Sequence, residues 1–272
     1  MQRSDGNRVL SERPGAIAGI PHPIPYQGSK RQLAKLIVNT FPPGTRRLIE
    51  PFAGSAAVSV AAAQLGRATG FVLNDVHAPL MALWREIILR PDEISAKYAA
   101  IWRAQLGDER PYYDRVRSRF NRFQRPEDFL YLLARCVKAA IRYNSNGEFN
   151  NSPDNRRRGA HPLTMERHIR GASRLLAERT KVLTGDFRRA LSLAKPFDVV
   201  YMDPPYQGVC RTHNHRYVRA VAFDDFVEAL RELHRRDVPF VVSYDGRTGD
   251  KRFGRSLPGD LKLMHLEVPA GR

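Results

Sequence analysis

The apolar run Val199-Val200-Tyr201-Met202 stops abruptly at Asp203-Pro204-Pro205-Tyr206. Two consecutive prolines cannot donate to a sheet ladder and fix φ near −65°, so they end a strand and stiffen the corner that follows. A carboxylate, a proline carbonyl and an aromatic ring are thereby offered side by side. That set suits a flat base carrying an amino group: Asp203 and the Pro204 carbonyl accept its two hydrogens while Tyr206 stacks on its face. Holding both hydrogens discourages delocalisation of the nitrogen lone pair into the ring, which leaves the amine nucleophilic. A plain strand stop with a capping Asp is the bland alternative for this tetrapeptide, and the other strand ends argue against it.

Those ends carry matched chemistry. Glu50-Pro51-Phe52-Ala53-Gly54 places a glycine turn after a strand, where backbone can approach a nucleotide-like ligand. Asn74-Asp75 follows about 20 residues later, the spacing of a carboxylate that holds a ribose diol; a helix N-cap is its simpler reading. Gly185-Asp186-Phe187 offers an acceptor for an exocyclic amino group and an aromatic wall, or an ordinary turn. Upstream, Tyr26-Gln27-Gly28-Ser29-Lys30 brings an aromatic and an ammonium suited to a carboxylate. Neither GxGxxG nor GxxxxGK[ST] occurs, which disfavours a dinucleotide enzyme or an ATPase. His213 and His215 read as a solvated loop and not a metal pair. Cys136 and Cys210 stand far apart, outside any CxxC or Pro-Cys motif, so neither a disulfide framework, a zinc site nor a thiol nucleophile is expected.

The elements that must position these residues are short β-rich segments at 47–52, 70–75, 181–186, 198–206, 240–246 and 261–269, mostly followed by helical patterning. Such alternation predicts an α/β chain with a mostly parallel, doubly wound sheet, whose ligands bind beyond the carboxyl ends of the strands. Residues 85–180 interrupt it as a helical block. Within that block, residues 110–142 hold nine basic against three acidic side chains, interleaved with six tyrosines and phenylalanines. An amphipathic helix pair explains any one of these; as a block beside the active edge, phosphate contact is the expectation. The 272 residues carry 45 Lys and Arg against 28 Asp and Glu, a net +17 on a chain that is 42% hydrophobic. A folded, strongly positive surface points first to nucleic acid and second to an anionic membrane. No apolar stretch approaches the ~20 residues of a membrane helix and the amino terminus lacks an apolar signal core, so a soluble, intracellular protein is expected. Residues 1–20 read as a mobile arm.

In order along the chain, PYQGSK through Lys30, IEPFAGSA (Ile49–Ala56), LND (Leu73–Asp75), RYNSNGEFN (Arg142–Asn150), TGDF (Thr184–Phe187) and DPPY resemble the Dam-type, class α (D12-type) DNA adenine-N6 methyltransferases. The likeness runs from about residue 25 to the carboxyl end. It implies a Rossmann-like methyltransferase fold, a doubly wound mixed sheet over 21–84 and 181–272, with a helical target-recognition insertion at 85–180. It implies S-adenosylmethionine without a metal, contacted by Tyr26 and Lys30, shaped by Phe52 and Gly54, with Asp75 on the ribose and Asp186 and Phe187 on its adenine. Asp203, Pro204, Pro205 and Tyr206 would hold a flipped target adenine near the sulfonium. Lys138, Arg142, Asn144, Arg156 and Arg157 would meet double-stranded DNA. A bacterial or phage enzyme in the cytoplasm, associated with the nucleoid, with a restriction endonuclease acting separately, completes the implication. Rivals are methylation of RNA adenine or protein glutamine, and an inactive DNA-binding relative. The chain departs from the pattern at Ala56, where the family has a second glycine, at Lys138-Ala139, which leaves the recognition sequence open, and in stopping soon after the last β segment.

Overall fold

The computed structural model describes residues 19–205, 221–244 and 255–268, together with the backbone at 8–9, 247–248 and 251–252. Tyr206, Cys210, His213, His215 and nearly all of the expected amino-terminal arm lie outside the described residues.

Five of the predicted segments become strands: β1 Arg47–Glu50, β2 Gly70–Leu73, β3 Thr180–Val182, β4 Asp198–Met202 and β5 Phe240–Val242. They form one sheet in the order β3-β2-β1-β4-β5, every neighbouring pair parallel. The two-residue period of each strand splits its apolar residues between two cores. Leu48, Phe71, Leu73, Val199 and Tyr201 face one core; Ile49, Val72, Val200 and Met202 face the other. The second core is closed by two amphipathic helices, through Phe187, Ala190 and Leu191 of one at Phe187–Leu191 and through Phe226, Leu230 and Leu233 of one at Phe223–Arg235.

Helices α1 (Ala34–Asn39), α2 (Ala57–Gln64) and α3 (Ala78–Leu89) cover the first face. Every residue of α2 from Ala57 to Ala63 is buried, and its alanines let it lie close against both α1 and the sheet. The helical block follows as α4 (Pro91–Ala104), α5 (Glu109–Phe123), α6 (Pro126–Arg135) and α7 (Pro162–Leu176). Proline starts α4, α6 and α7, where its missing N–H costs nothing. Helix α6 is buried from Asp128 to Arg135, and α7 packs on α2, α3 and α4, so the block shares its core with the sheet face it covers.

Two expectations shift. The strand expected at 240–246 ends as sheet at Val242, with the Ser243 amide still donating to Met202 O at 2.8 Å. The segment expected as a strand at 261–269 does not join the sheet. Pro258-Gly259-Asp260 favours a turn, Gly259–Leu261 is a 3-10 helix that drops Leu261 onto the second core, and Lys262 turns left-handed at φ +49°. Among the described residues of that segment, Leu266–Glu267 forms a strand, in parallel with Arg8–Val9.

Candidate active site

The β1 and β4 ends lie side by side where the chain's crossovers part in opposite directions, the crevice that this topology opens. A cavity of about 340 Å³ occupies it, and Tyr26, Lys30, Phe52, Gly54, Asp75, Asp186, Phe187, Asp203, Pro204 and Pro205 all line it. Residues as far apart in sequence as Phe52 and Pro205 thus line one cavity because parallel strands put all their carboxyl ends on one edge.

Gly54 (φ +49°) is required by space as well as by conformation: a Cβ there would meet the Tyr26 ring at 3.1 and 3.3 Å. Its carbonyl accepts from Trp84 Nε1 at 2.9 Å and its amide donates to Asp75 Oδ2 at 3.1 Å. The other Asp75 oxygen accepts the His77 amide at 3.0 Å. Burial pushes the Asp75 carboxyl above its ordinary range, opposed by these backbone donors. Phe52 and Phe187 stack at 5.2 Å, and the Asp186 carboxylate caps the helix at Phe187 by accepting the Arg188 amide at 2.9 Å. Across the cavity, Lys30 Nζ donates to Asp203 Oδ2 at 2.5 Å and to Gly28 O at 3.3 Å. Ser29 and Ser55 hydroxyls join at 2.8 Å, tying the loop of Lys30 to the turn after β1.

Two lining groups carried no assignment from the sequence. Glu50 is only 2% exposed, accepts the Ser59 amide at 2.7 Å, and is driven by burial up to about 7. Its place at a strand end was visible, but its burial was not. His77 is buried beside Asp75. Ala56, filling the family's glycine position, adopts φ +45°, a left-handed conformation that glycine takes without strain.

The basic residues expected at DNA gather outside the cavity. Lys138 and Ala139 both have positive φ, and Ala139 O accepts the Gln27 amide at 3.1 Å, joining this stretch to the Lys30 loop. Tyr143 pairs with Phe149 as an antiparallel bridge, flanked by Asn150 N donating to Arg142 O at 3.0 Å. Asn144 stitches the turn between them, its Oδ1 accepting the Asn146 and Glu148 amides at 3.0 and 2.9 Å. Arg142 Nε is buried without a hydrogen-bond partner among the described residues. Arg156 and Arg157 grip Asp154 at 3.0 and 3.3 Å, and Arg157 also reaches Cys136 O at 3.3 Å. Cys136 itself is buried, with its thiol raised to about 11 by burial, which makes it a packing group.

The five parallel strands, with helices closing a core on each face, form a Rossmann-like α/β fold. The family model described as D12 class N6 adenine-specific DNA methyltransferase matches residues 26–268, and the chain belongs to that family. It is 27% identical over 191 residues to the retron Ec67 DNA adenine methylase of Escherichia coli, covering 68% of this chain and 63% of that protein. The DNA N-6-adenine-methyltransferase of Escherichia phage P1 is 27% identical over 234 residues, 81% of this chain and 29% of that one. Type II methyltransferase M.MjaIII of Methanocaldococcus jannaschii is 24% identical over 241 residues, 81% of this chain and 82% of that protein. The chain therefore spans less than two thirds of two of these relatives and most of the third. Among solved structures, the rRNA methyltransferase AviRa of Streptomyces viridochromogenes aligns at a TM-score of 0.38 and 18% identity over 81% of this chain and 75% of that one, a likeness too low to weigh.

Proposed function

We propose that this chain methylates the N6 amino group of an adenine flipped out of double-stranded DNA, using S-adenosylmethionine. The observation that carries the reading is the shared cavity: Asp203 and its two prolines form one wall and Asp75 with Gly54 the other, within about 340 Å³. The residues fit that cofactor. Gly54 leaves a cradle that a Cβ would fill, the buried Asp75 carboxylate suits a ribose diol, the Phe52–Phe187 pair suits a purine, and the Lys30 ammonium suits an amino-acid carboxylate. When bound, S-adenosylmethionine supplies a methyl group made electrophilic by its sulfonium.

The chain's own work is positioning and polarisation. Lys30 orients the Asp203 carboxylate at 2.5 Å. Asp203 and the Pro204 carbonyl accept the amine's two hydrogens and turn its lone pair toward the donor. Tyr206, by family likeness, stacks on the base. Asp203 holds the amine; it need not keep the proton. Cys136 is buried, so its thiol takes no part, and transfer to the amine is direct.

Residues 21–84 with 181–272 serve as the catalytic unit, 85–180 as the target-recognition insertion, and 1–20 as an arm. Lys138, Arg142, Arg156 and Arg157 meet phosphates or base edges, while Asn144 acts by shaping the turn between Tyr143 and Phe149, next to Arg142. A restriction endonuclease acting separately, a bacterial or phage setting in the cytoplasm, and association with the nucleoid accord with this role. Among the described residues no helix is long and apolar enough to cross a membrane.

The test is tritiated methyl transfer to unmethylated genomic duplex, followed by mapping of the modified base. Label at adenine N6 is expected, and Asp203→Ala should abolish it while nonspecific duplex binding persists. Label confined to RNA, to protein or to cytosine, or equal loss of transfer and binding in the variant, overturns the reading.

A further inference from the structure

One imidazole joins the cofactor pocket to the segment expected to read DNA. The His77 amide donates to Asp75, whose second oxygen is held by Gly54. The His77 ring caps α3, with Nδ1 accepting the Leu80 amide at 3.1 Å. That acceptor is unprotonated, so the neutral ring carries its hydrogen on Nε2, 2.7 Å from the Tyr143 hydroxyl, and donates to it. Burial holds His77 down to about 4, which keeps the ring uncharged at neutral pH. Phe129 stacks on the ring at 5.3 Å and fixes its plane. Tyr143 in turn is the root of the hairpin at 142–150, through its bridge to Phe149. Helix capping needs only Nδ1, and packing needs only the tyrosine ring. Neither accounts for the hydroxyl placed on Nε2.

We propose that His77 is a positioning residue whose hydrogen bond to Tyr143 couples occupancy of the Asp75 pocket to the geometry of the 142–150 hairpin. This rests on the function proposed above, and linkage makes it reciprocal: a filled pocket orders the hairpin, and DNA on the hairpin tightens the pocket. A second tie runs parallel to it, from the Gln27 amide to Ala139 O, and Ile141 carries the hairpin's approach along the cavity wall.

The experiment uses S-adenosylhomocysteine with the full-length protein, its binding followed by calorimetry and its effect by amide hydrogen exchange. Tyr143→Phe keeps the ring and removes the hydroxyl. His77→Asn keeps a good helix-capping acceptor but is too short to reach Tyr143. In the wild type, the ligand should slow exchange at Asn144, Glu148 and Asn150 by about fivefold or more, the low end of ordinary coupling. Each variant should bind the ligand and lose that protection, and the double variant should lose no more than either alone. Ligand binding with unchanged hairpin exchange in the wild type, or full protection in Tyr143→Phe, overturns the coupling and leaves the proposed function standing. A wild type that binds no S-adenosylhomocysteine overturns the proposed function, and the coupling with it.

Discussion

Glu50 shows how much a single buried carboxyl can do. It ends β1, faces the cavity and lies under Ser59, and burial raises it from an ordinary 4.5 to about 7, with nearby Asp203 pushing the same way and the Ser59 hydrogen bonds opposing. A carboxyl whose folded pKa exceeds its unfolded value favours folding only while it stays protonated. Its contribution is therefore complete below about 4.5 and lost as pH rises through about 7, a swing on the order of 3 kcal/mol. Glu50→Gln keeps an acceptor for the Ser59 amide and removes the titration. Thermal unfolding should show the wild type losing ground to Glu50→Gln between pH 5 and pH 8.5; parallel curves would refute the assignment. At the same scale, Asp75→Ala should weaken S-adenosylhomocysteine binding by calorimetry at least about tenfold, since it deletes the one carboxylate held by Gly54 and His77 backbone. An unchanged dissociation constant would remove Asp75 from the pocket's working parts. Phe52, Gly54, Asp75, Asp186 and Asp203 were legible because each follows an apolar run that stops at a polar or glycine residue. Glu50 and His77 were not, because burial depends on which helices close over them.

Helix α2 belongs to the next scale. Its seven buried residues are Ala, Val and Ser, so it behaves as a spacer that sets how near α1 and α7 come to the sheet. Ala61, with no exposed surface, has no room for a larger side chain. Ala61→Leu should cost about 1–3 kcal/mol by overpacking, measured as a lowered denaturation midpoint in urea; an unchanged midpoint would mean that the helix can move aside. The strands were legible as elements, since runs such as Val199–Met202 are β-branched and apolar with firm stops. Their ends were less so. The stretch at 261–269 has the alternation of a strand, yet its role is decided by Pro258-Gly259-Asp260 in front of it and by the space on the second core that Leu261 fills.

For the whole molecule, the +17 charge is real but unevenly free. In the helical block Arg110 and Arg117 pair with Asp114, Arg115 pairs with Asp108, and Arg119 pairs with the buried Asp128. Arg135 is buried, and its Nη1 donates to the carbonyls of Asp154 and Arg157. On the proposed function, phosphate contact thus falls to fewer basic side chains than the nine counted at 110–142, and Arg156, outside that count, would offer its 88% exposed guanidinium while also pairing with Asp154. Duplex binding should weaken by about a thousandfold or more between 50 and 200 mM salt if six or more phosphates are engaged. Arg156→Ala with Arg157→Ala should reduce the slope of log affinity against log salt by about one per residue. Fluorescence anisotropy with a nonspecific duplex reads both, and a slope unaltered by the substitutions would take these arginines off the interface.

What the sequence by itself determined is local: where strands stop, which residues stand at the stops, and how much charge the chain carries. Those follow from proline stereochemistry, glycine turns and apolar runs, each acting within a few residues. The tertiary structure decided which side chains meet, because the strand order β3-β2-β1-β4-β5 sets residues from Tyr26 to Pro205 around one cavity. It also decided which groups are shut from water and so change their chemistry, as at Glu50 and His77. Charge can be summed along a chain, but the desolvation and pairing that give it effect exist only once the helices have packed.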